Sequence, residues 1–224
     1  MENIAIIGAG AWGTALAMVA RRAGRNVVLQ AHEPEVVDAV NEACENSLFL
    51  PGVALDPEIR ATNDPAEAAA EADAVLLAVP AQFLRAVLTG FSGNLPSGAP
   101  VVICAKGIEQ ETLALMSEIC EEVVPQAPVA VLSGPTFAAE VAEDRPTAVT
   151  LASADEALGV GLSEALGTPR FRIYRSDDIV GAQVGGAVKN VLAIGCGIVE
   201  GRGLGDNAKA ALITRGLAEI VRLG

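Results

Sequence analysis

The sequence predicts an α/β protein: a mostly parallel sheet with helices on both faces, followed by the beginning of an all-α C-terminal domain. Three observations predict it. Short apolar runs alternate with amphipathic or alanine-rich segments, the pattern of a parallel sheet covered by helices. A glycine-rich turn at residues 8 to 13 joins the first apolar run to the first helical segment. Beyond Ser176-Asp177-Asp178 the helical periodicity continues with no further strand pattern.

The apolar runs place strands at Asn3–Ile7, Asn26–Ala31, Ile59–Thr62, Ala74–Ala78, Pro100–Cys104 and Val129–Leu132. Helices are expected to begin near Trp12, Pro34, Pro65, Ala81, Glu111 and Thr136, the prolines suiting a first helical turn. Ala148–Ala152 and Arg170–Tyr174 extend the sheet around a helix at Asp155–Ala165. Asp177 and Asp178 then offer an N-cap with acidic charge at the positive end of a helix. The predicted boundary near residue 177 divides a binding domain, 1–177, from a helical region, 178–224. A region of about 45 residues closes a core with difficulty, and its last ten residues read as a helix still running. It is expected to be completed by further chain or by a partner, a homodimer included.

Composition narrows the function. With 51% apolar and 19% charged residues the chain is globular. A net charge of −13 argues against nucleic acid and anionic membrane, which need clustered lysine and arginine. Cys44, Cys104, Cys120 and Cys196 match no zinc or CxxC spacing. No metal is expected, and the thiols read as reduced, in a cytoplasmic protein. The window Val180–Val199 is long enough to span a membrane but holds Lys189 at its centre and five glycines. A central lysine costs about 2.5–3.5 kcal/mol on insertion, so a buried helix is expected instead.

In GAGAWG, Gly8 permits a tight turn, Gly10 lets a diphosphate approach the backbone, and Gly13 lets helix pack on strand. Such a turn feeds a helix N-terminus whose free N–H groups bind phosphate, the arrangement of a Rossmann-type domain. Glu33, at the end of the second strand, stands where a carboxylate accepts from the ribose hydroxyl of NAD and repels the extra phosphate of NADP. It equally starts the next helix with Pro34. NAD or NADP is therefore expected, with NAD weakly preferred.

The sequence has one histidine, His32, beside the expected adenosine end of the cofactor. A proton must therefore move through another group. Lysine serves where burial or a second cation brings its pKa from about 10.4 toward 7 or 8. Lys189 has small neighbours one helical turn away, Gly185, Gly186, Leu192 and Ala193, that leave room for a ligand; the plain alternative is a lysine reaching out to water. Lys106 follows an apolar strand directly, at the carboxyl end where ligands of an open parallel sheet bind. At the next such end, Ser133-Gly134-Pro135-Thr136, Thr136 either caps the following helix or turns its backbone and hydroxyl to a substrate.

Together the segments GAGAWGTALA, AHE, LLAVPAQ, CAKGIE, SGPTFAAEVA, GAVKNVLAIGCGI and NAKAALITRGLAEIVRLG, in this order along the chain, resemble the NAD(P)-dependent glycerol-3-phosphate dehydrogenases of bacterial type. The resemblance implies interconversion of sn-glycerol 3-phosphate and dihydroxyacetone phosphate, supplying glycerol phosphate for phospholipid synthesis. It makes Lys189 the acid/base, Lys106 a contact to both cofactor and substrate, and Gly134 and Thr136 contacts to substrate. Ala138 would lie beside the nicotinamide, Ala11, Trp12 and His32 would line the cofactor site, and Asn190 would neighbour the substrate. Two features depart from the family pattern: Glu33 stands where bacterial relatives often have arginine, and family members continue well past residue 224 into their phosphate-gripping residues. The resemblance therefore implies that these 224 residues alone bind cofactor with little turnover. The alternatives are a non-catalytic NAD(H) sensor, which has no use for both lysines, and another dehydrogenase of the same two-domain superfamily, whose histidine or cysteine catalyst has no counterpart here.

Overall fold

The computed structural model describes residues 1–223. The chain runs β1 (Asn3–Ile7), α1 (Ala11–Arg22), β2 (Asn26–Gln30), α2 (Pro34–Ala43), the hairpin β3 (Glu45–Asn46) and β4 (Leu50–Ala54), β5 (Ile59–Thr62), α3 (Pro65–Ala69) and β6 (Ala74–Leu77). A 3-10 turn at Ala81–Phe83 leads into α4 (Leu84–Phe91), β7 (Val101–Ile103), α5 (Met116–Val123), β8 (Val129–Ser133), α6 (Ala138–Ala142) and β9 (Thr147–Ala152). Then follow α7 (Glu156–Leu166), β10 (Phe171–Ser176), α8 (Ile179–Gly201) and α9 (Asp206–Leu223).

Eight strands form one sheet in the order β10-β9-β8-β7-β6-β1-β2-β5. Every pairing is parallel except β8 with β9. From β1 the chain moves outward to β2 and β5, then returns to the other side of β1 as β6. Ligand crevices of doubly wound sheets open at such a reversal, beyond the carboxyl ends of the strands. The central strands are apolar throughout because both faces are covered. Ile4, Ile6, Leu76, Val102 and Leu132 pack with α1, α2, α6 and α7, whereas Ala5, Ile7, Val75, Leu77 and Ile103 pack with α3, α4 and α5.

Asp155 and Asp178 accept backbone N–H groups at the starts of α7 and α8, as their acidic N-cap chemistry requires.

Three expectations need correction, and one hairpin is added to them. The helix expected near Glu111 begins at Met116, because Leu113 lies at φ 61° and Ile108 bridges Leu115. Gln82 holds that loop out of helical register: its amide donates to the Ile108 carbonyl and accepts from the Gln110 N–H. α6 begins at Ala138 after Phe137, so Thr136 does not cap it. The β3–β4 hairpin was not expected; Pro51 and Gly52 are poor strand formers, and among the described residues its two short strands pair only with each other, tied to the rest of the fold through Asn46. Finally, α8 is not buried along its length. Gln183, Val184 and Gly186 are enclosed, while Val191 and Ile194 are 74% and 65% exposed.

α8 has the length and composition of a membrane span. Its first half is nevertheless held within the fold. Gln183 accepts the Ser117 N–H at 3.0 Å and donates to Ser117 Oγ at 2.8 Å, joining α8 to α5.

Candidate active site

A cavity of about 1110 Å³ opens at the carboxyl ends of β1, β2, β6, β7 and β8. Its volume lies just above the ~300–1,000 Å³ of ordinary small-molecule sites, which is room for a dinucleotide beside a small substrate.

The glycine turn forms its floor. Gly8 sits at φ 105°, and a β-carbon there would press on Ala78 and Val79 at 3.0 Å. A β-carbon on Gly13 would stand 1.9 Å from the Gly8 carbonyl oxygen, so α1 approaches β1 only without one. A β-carbon on Gly10 would meet nothing within 4 Å, and Gly10 lines the cavity. Gly10 is the N-cap of α1 and supplies no side-chain acceptor, leaving the first N–H groups of the helix for a ligand. Trp12 Nε1 and Thr136 Oγ1 are buried without a hydrogen-bond partner while their residues line the same cavity. Polar atoms rarely stay so unless something else satisfies them. The glycine turn, the uncapped helix and these two atoms fit a bound dinucleotide and a polar substrate.

His32 and Glu33 line the end of the cavity at β2. Glu33 starts α2 but makes no side-chain cap. Sequence reading left its two roles open, and the structure places it at both the helix start and the cavity wall. Asn63 secures that strand end by donating to the Ala31 and His32 carbonyls.

At the other end stands Lys106. Its ammonium donates to the Gly134 carbonyl at 3.1 Å and lies 5.7 Å from the Trp12 ring centroid, a cation–π distance. Burial, reinforced by the positive charge of Lys189, holds its pKa below the ordinary lysine value. α8 reaches this corner through Gly186, whose β-carbon would fall 2.9 Å from Ser133 Oγ and 3.5 Å from Lys106 Cγ. Gly134 is small for a similar reason, since a β-carbon there would meet Val149 and the Ala148 carbonyl at about 3.0–3.1 Å.

The structure thus brings Gly8, Gly10, Ala11, Trp12, His32, Glu33, Lys106, Thr136 and Ala138 around one cavity. Gly13 and Gly134 shape it from behind. Lys189 lies near enough to act on the charge of Lys106 but outside the wall, and Asn190, beside it, is exposed. Sequence reading missed Asn46, Phe49, Asn63 and Phe83. The two phenylalanines line the cavity although each is more than a third exposed, an exposure that no residue pattern announces.

A doubly wound sheet with this turn at its reversal point defines a dinucleotide-binding α/β protein. Residues 3–159 match the family model described as NAD-dependent glycerol-3-phosphate dehydrogenase N-terminus, and residues 178–224 match the C-terminus model of the same family. The chain belongs to the NAD-dependent glycerol-3-phosphate dehydrogenase family. It is 65% identical over 224 residues to the glycerol-3-phosphate dehydrogenase [NAD(P)+] of Rhodospirillum rubrum, covering all of this chain and 64% of that protein. The protein of the same name from Paramagnetospirillum magneticum is 65% identical over 223 residues, with 100% and 81% covered. Among solved structures, the glycerol-3-phosphate dehydrogenase of Coxiella burnetii superposes with a TM-score of 0.93 at 39% identity, covering 99% of this chain and 68% of the other. The chain therefore spans about two thirds of the length of several of the relatives it matches.

Proposed function

We propose that the chain carries the cofactor site and the proton-transfer lysine of an enzyme interconverting sn-glycerol 3-phosphate and dihydroxyacetone phosphate with NAD(P). The observation that supports this most is the corner where Lys106, Trp12 and Thr136 face one cavity, with Lys189 close enough for its charge to act on Lys106. A sensor needs the glycine turn but not a cation pair beside it.

The bound nicotinamide supplies or accepts the hydride. Lys189 takes the proton from the secondary hydroxyl as it becomes a ketone and returns it in the reverse direction. Lys106, braced by the Gly134 carbonyl, holds the reacting oxygen by charge-assisted hydrogen bonding. Thr136 Oγ1 and the Gly134 backbone contact substrate, with Asn190 as its neighbour. Gly8, Gly10, Ala11, Trp12 and Gly13 form the diphosphate cradle, Ala138 lies by the nicotinamide, and His32 and Glu33 take the adenosine end. The Glu33 carboxylate favours NAD, since a 2′-phosphate beside it meets like charge. The free cysteines and the charge of −13 support a cytosolic setting, where the reduction supplies glycerol phosphate for phospholipids.

The test is dihydroxyacetone phosphate-dependent oxidation of NADH and NADPH by the protein from its complete reading frame, beside its Lys189→Ala variant. Turnover by the native protein that falls by about 10²-fold or more in the variant, with NADH binding retained, is the expected result. Absence of turnover in a native protein that binds NADH would turn the reading toward the sensor.

A further inference from the structure

Asn46 is fully buried on β3, far in sequence from the glycine turn. Its amide is nevertheless bonded to that turn. Oδ1 accepts the Phe49 N–H at 3.1 Å, and Nδ2 donates to the Ala9 carbonyl and to Thr14 Oγ1, both at 2.8 Å. A backbone N–H only donates, so Phe49 fixes which end of the amide is oxygen and leaves the nitrogen for Ala9. Thr14 Oγ1 adds a second bond to the same carbonyl at 3.3 Å.

The geometry of the peptide carries this further. In a planar trans peptide the carbonyl and the following N–H project to opposite sides. With the Ala9 oxygen drawn into the interior, the Gly10 N–H turns toward the cavity that Gly8, Ala9 and Gly10 line. Among the described residues that N–H meets no acceptor. A peptide free to turn over would instead present its oxygen to an incoming phosphate, where like charges repel.

We propose that Asn46 is a positioning residue for dinucleotide binding. It locks the Ala9–Gly10 peptide with its N–H toward the diphosphate, and through Phe49 it fastens the β3–β4 hairpin to that peptide. The proposal rests on the cavity being a dinucleotide site.

The experiment compares the native protein from its complete reading frame with Asn46→Ala and Thr14→Val, the latter nearly isosteric. NADH affinity comes from nicotinamide fluorescence, KM and kcat from steady-state turnover, and Tm from thermal unfolding. Asn46→Ala is expected to raise Kd and KM for NADH about tenfold, or 1.4 kcal/mol, with kcat and the KM for dihydroxyacetone phosphate within about twofold. Thr14→Val should show the same split to a smaller degree, and it decides the matter should Asn46→Ala not fold. Variants that bind NADH as the native protein does would overturn the proposal, as would a uniform loss of kcat, both KM values and Tm. A native protein that binds neither NADH nor NADPH overturns the cofactor reading itself, and the positioning role with it, before any variant is made.

Discussion

Gly13 and Gly8 touch through their backbones: a β-carbon on Gly13 would stand 1.9 Å from the Gly8 carbonyl oxygen, while one on Gly10 would meet nothing within 4 Å. The two substitutions should therefore fail differently. Gly13→Ala forces α1 off β1 and is expected to cost about 1–3 kcal/mol or more of stability together with cofactor binding. Gly10→Ala suits its backbone, at φ −62° and ψ 176°, and should leave Tm near native while the new methyl excludes the diphosphate. Thermal unfolding and NADH titration separate the cases. Equal Tm losses in both variants would contradict this account of the turn.

Gln183 and Ser117 form the buried polar contact between α8 and α5. Gln183→Leu strands the Ser117 N–H, and an unpaired buried donor costs about 1–3 kcal/mol. For a chain of this size Tm should fall by roughly 2–4 °C per kcal/mol. A variant that melts with the native protein would show that the contact contributes nothing net.

These two sites differ in how far the residues announce them. The glycine turn and the positions of the main strands along the chain were legible because period and spacing are local properties, and Lys189 stood out as one charge in an apolar run. Asn46 was illegible: no period or spacing in Glu45-Asn46-Ser47 marks it, and its amide bonds to Ala9, 37 positions away. The helix expected at Glu111 failed for the same kind of reason, since Gln82 and the left-handed Leu113 override local preference there. In α8 hydropathy predicted burial, but burial needs a partner surface, which Val191 and Ile194 lack among the described residues.

Glu33 lines the cavity beside the end of β2 with no side-chain cap to hold it, at the end proposed for the adenosine. Glu33→Arg exchanges repulsion for attraction toward a 2′-phosphate. The ratio of kcat/KM for NADPH over NADH should rise by about 10-fold or more, since 1.4 kcal/mol corresponds to a factor of ten. The shift should shrink at high salt, because a charge at the cavity mouth is screened. An unchanged ratio would place the ribose elsewhere.

Lys106 and Lys189 test the site through their charges. Burial and then the neighbouring Lys189 lower the pKa of Lys106 from the ordinary 10.5. In the folded protein Lys106 therefore releases its proton at lower pH than in the unfolded chain. The unfolded state binds more protons between those two values, so this group's contribution to stability rises with pH there; its cost is complete below the folded pKa and gone above about 10.5. Lys189→Met removes one of the two causes, so Lys106 should titrate higher and the rise of stability across that window should flatten. Residues 1–224 hold three lysines, Lys106, Lys189 and Lys209, and in reductively ¹³C-methylated protein the Lys106 signal is assigned as the one lost in a Lys106→Arg variant. In the protein from its complete reading frame, turnover should collapse in the same variant while NADH still binds. A Lys106 titration that does not move would mean that the two charges fail to sense each other, and the proton would then have to pass through a site other than this corner.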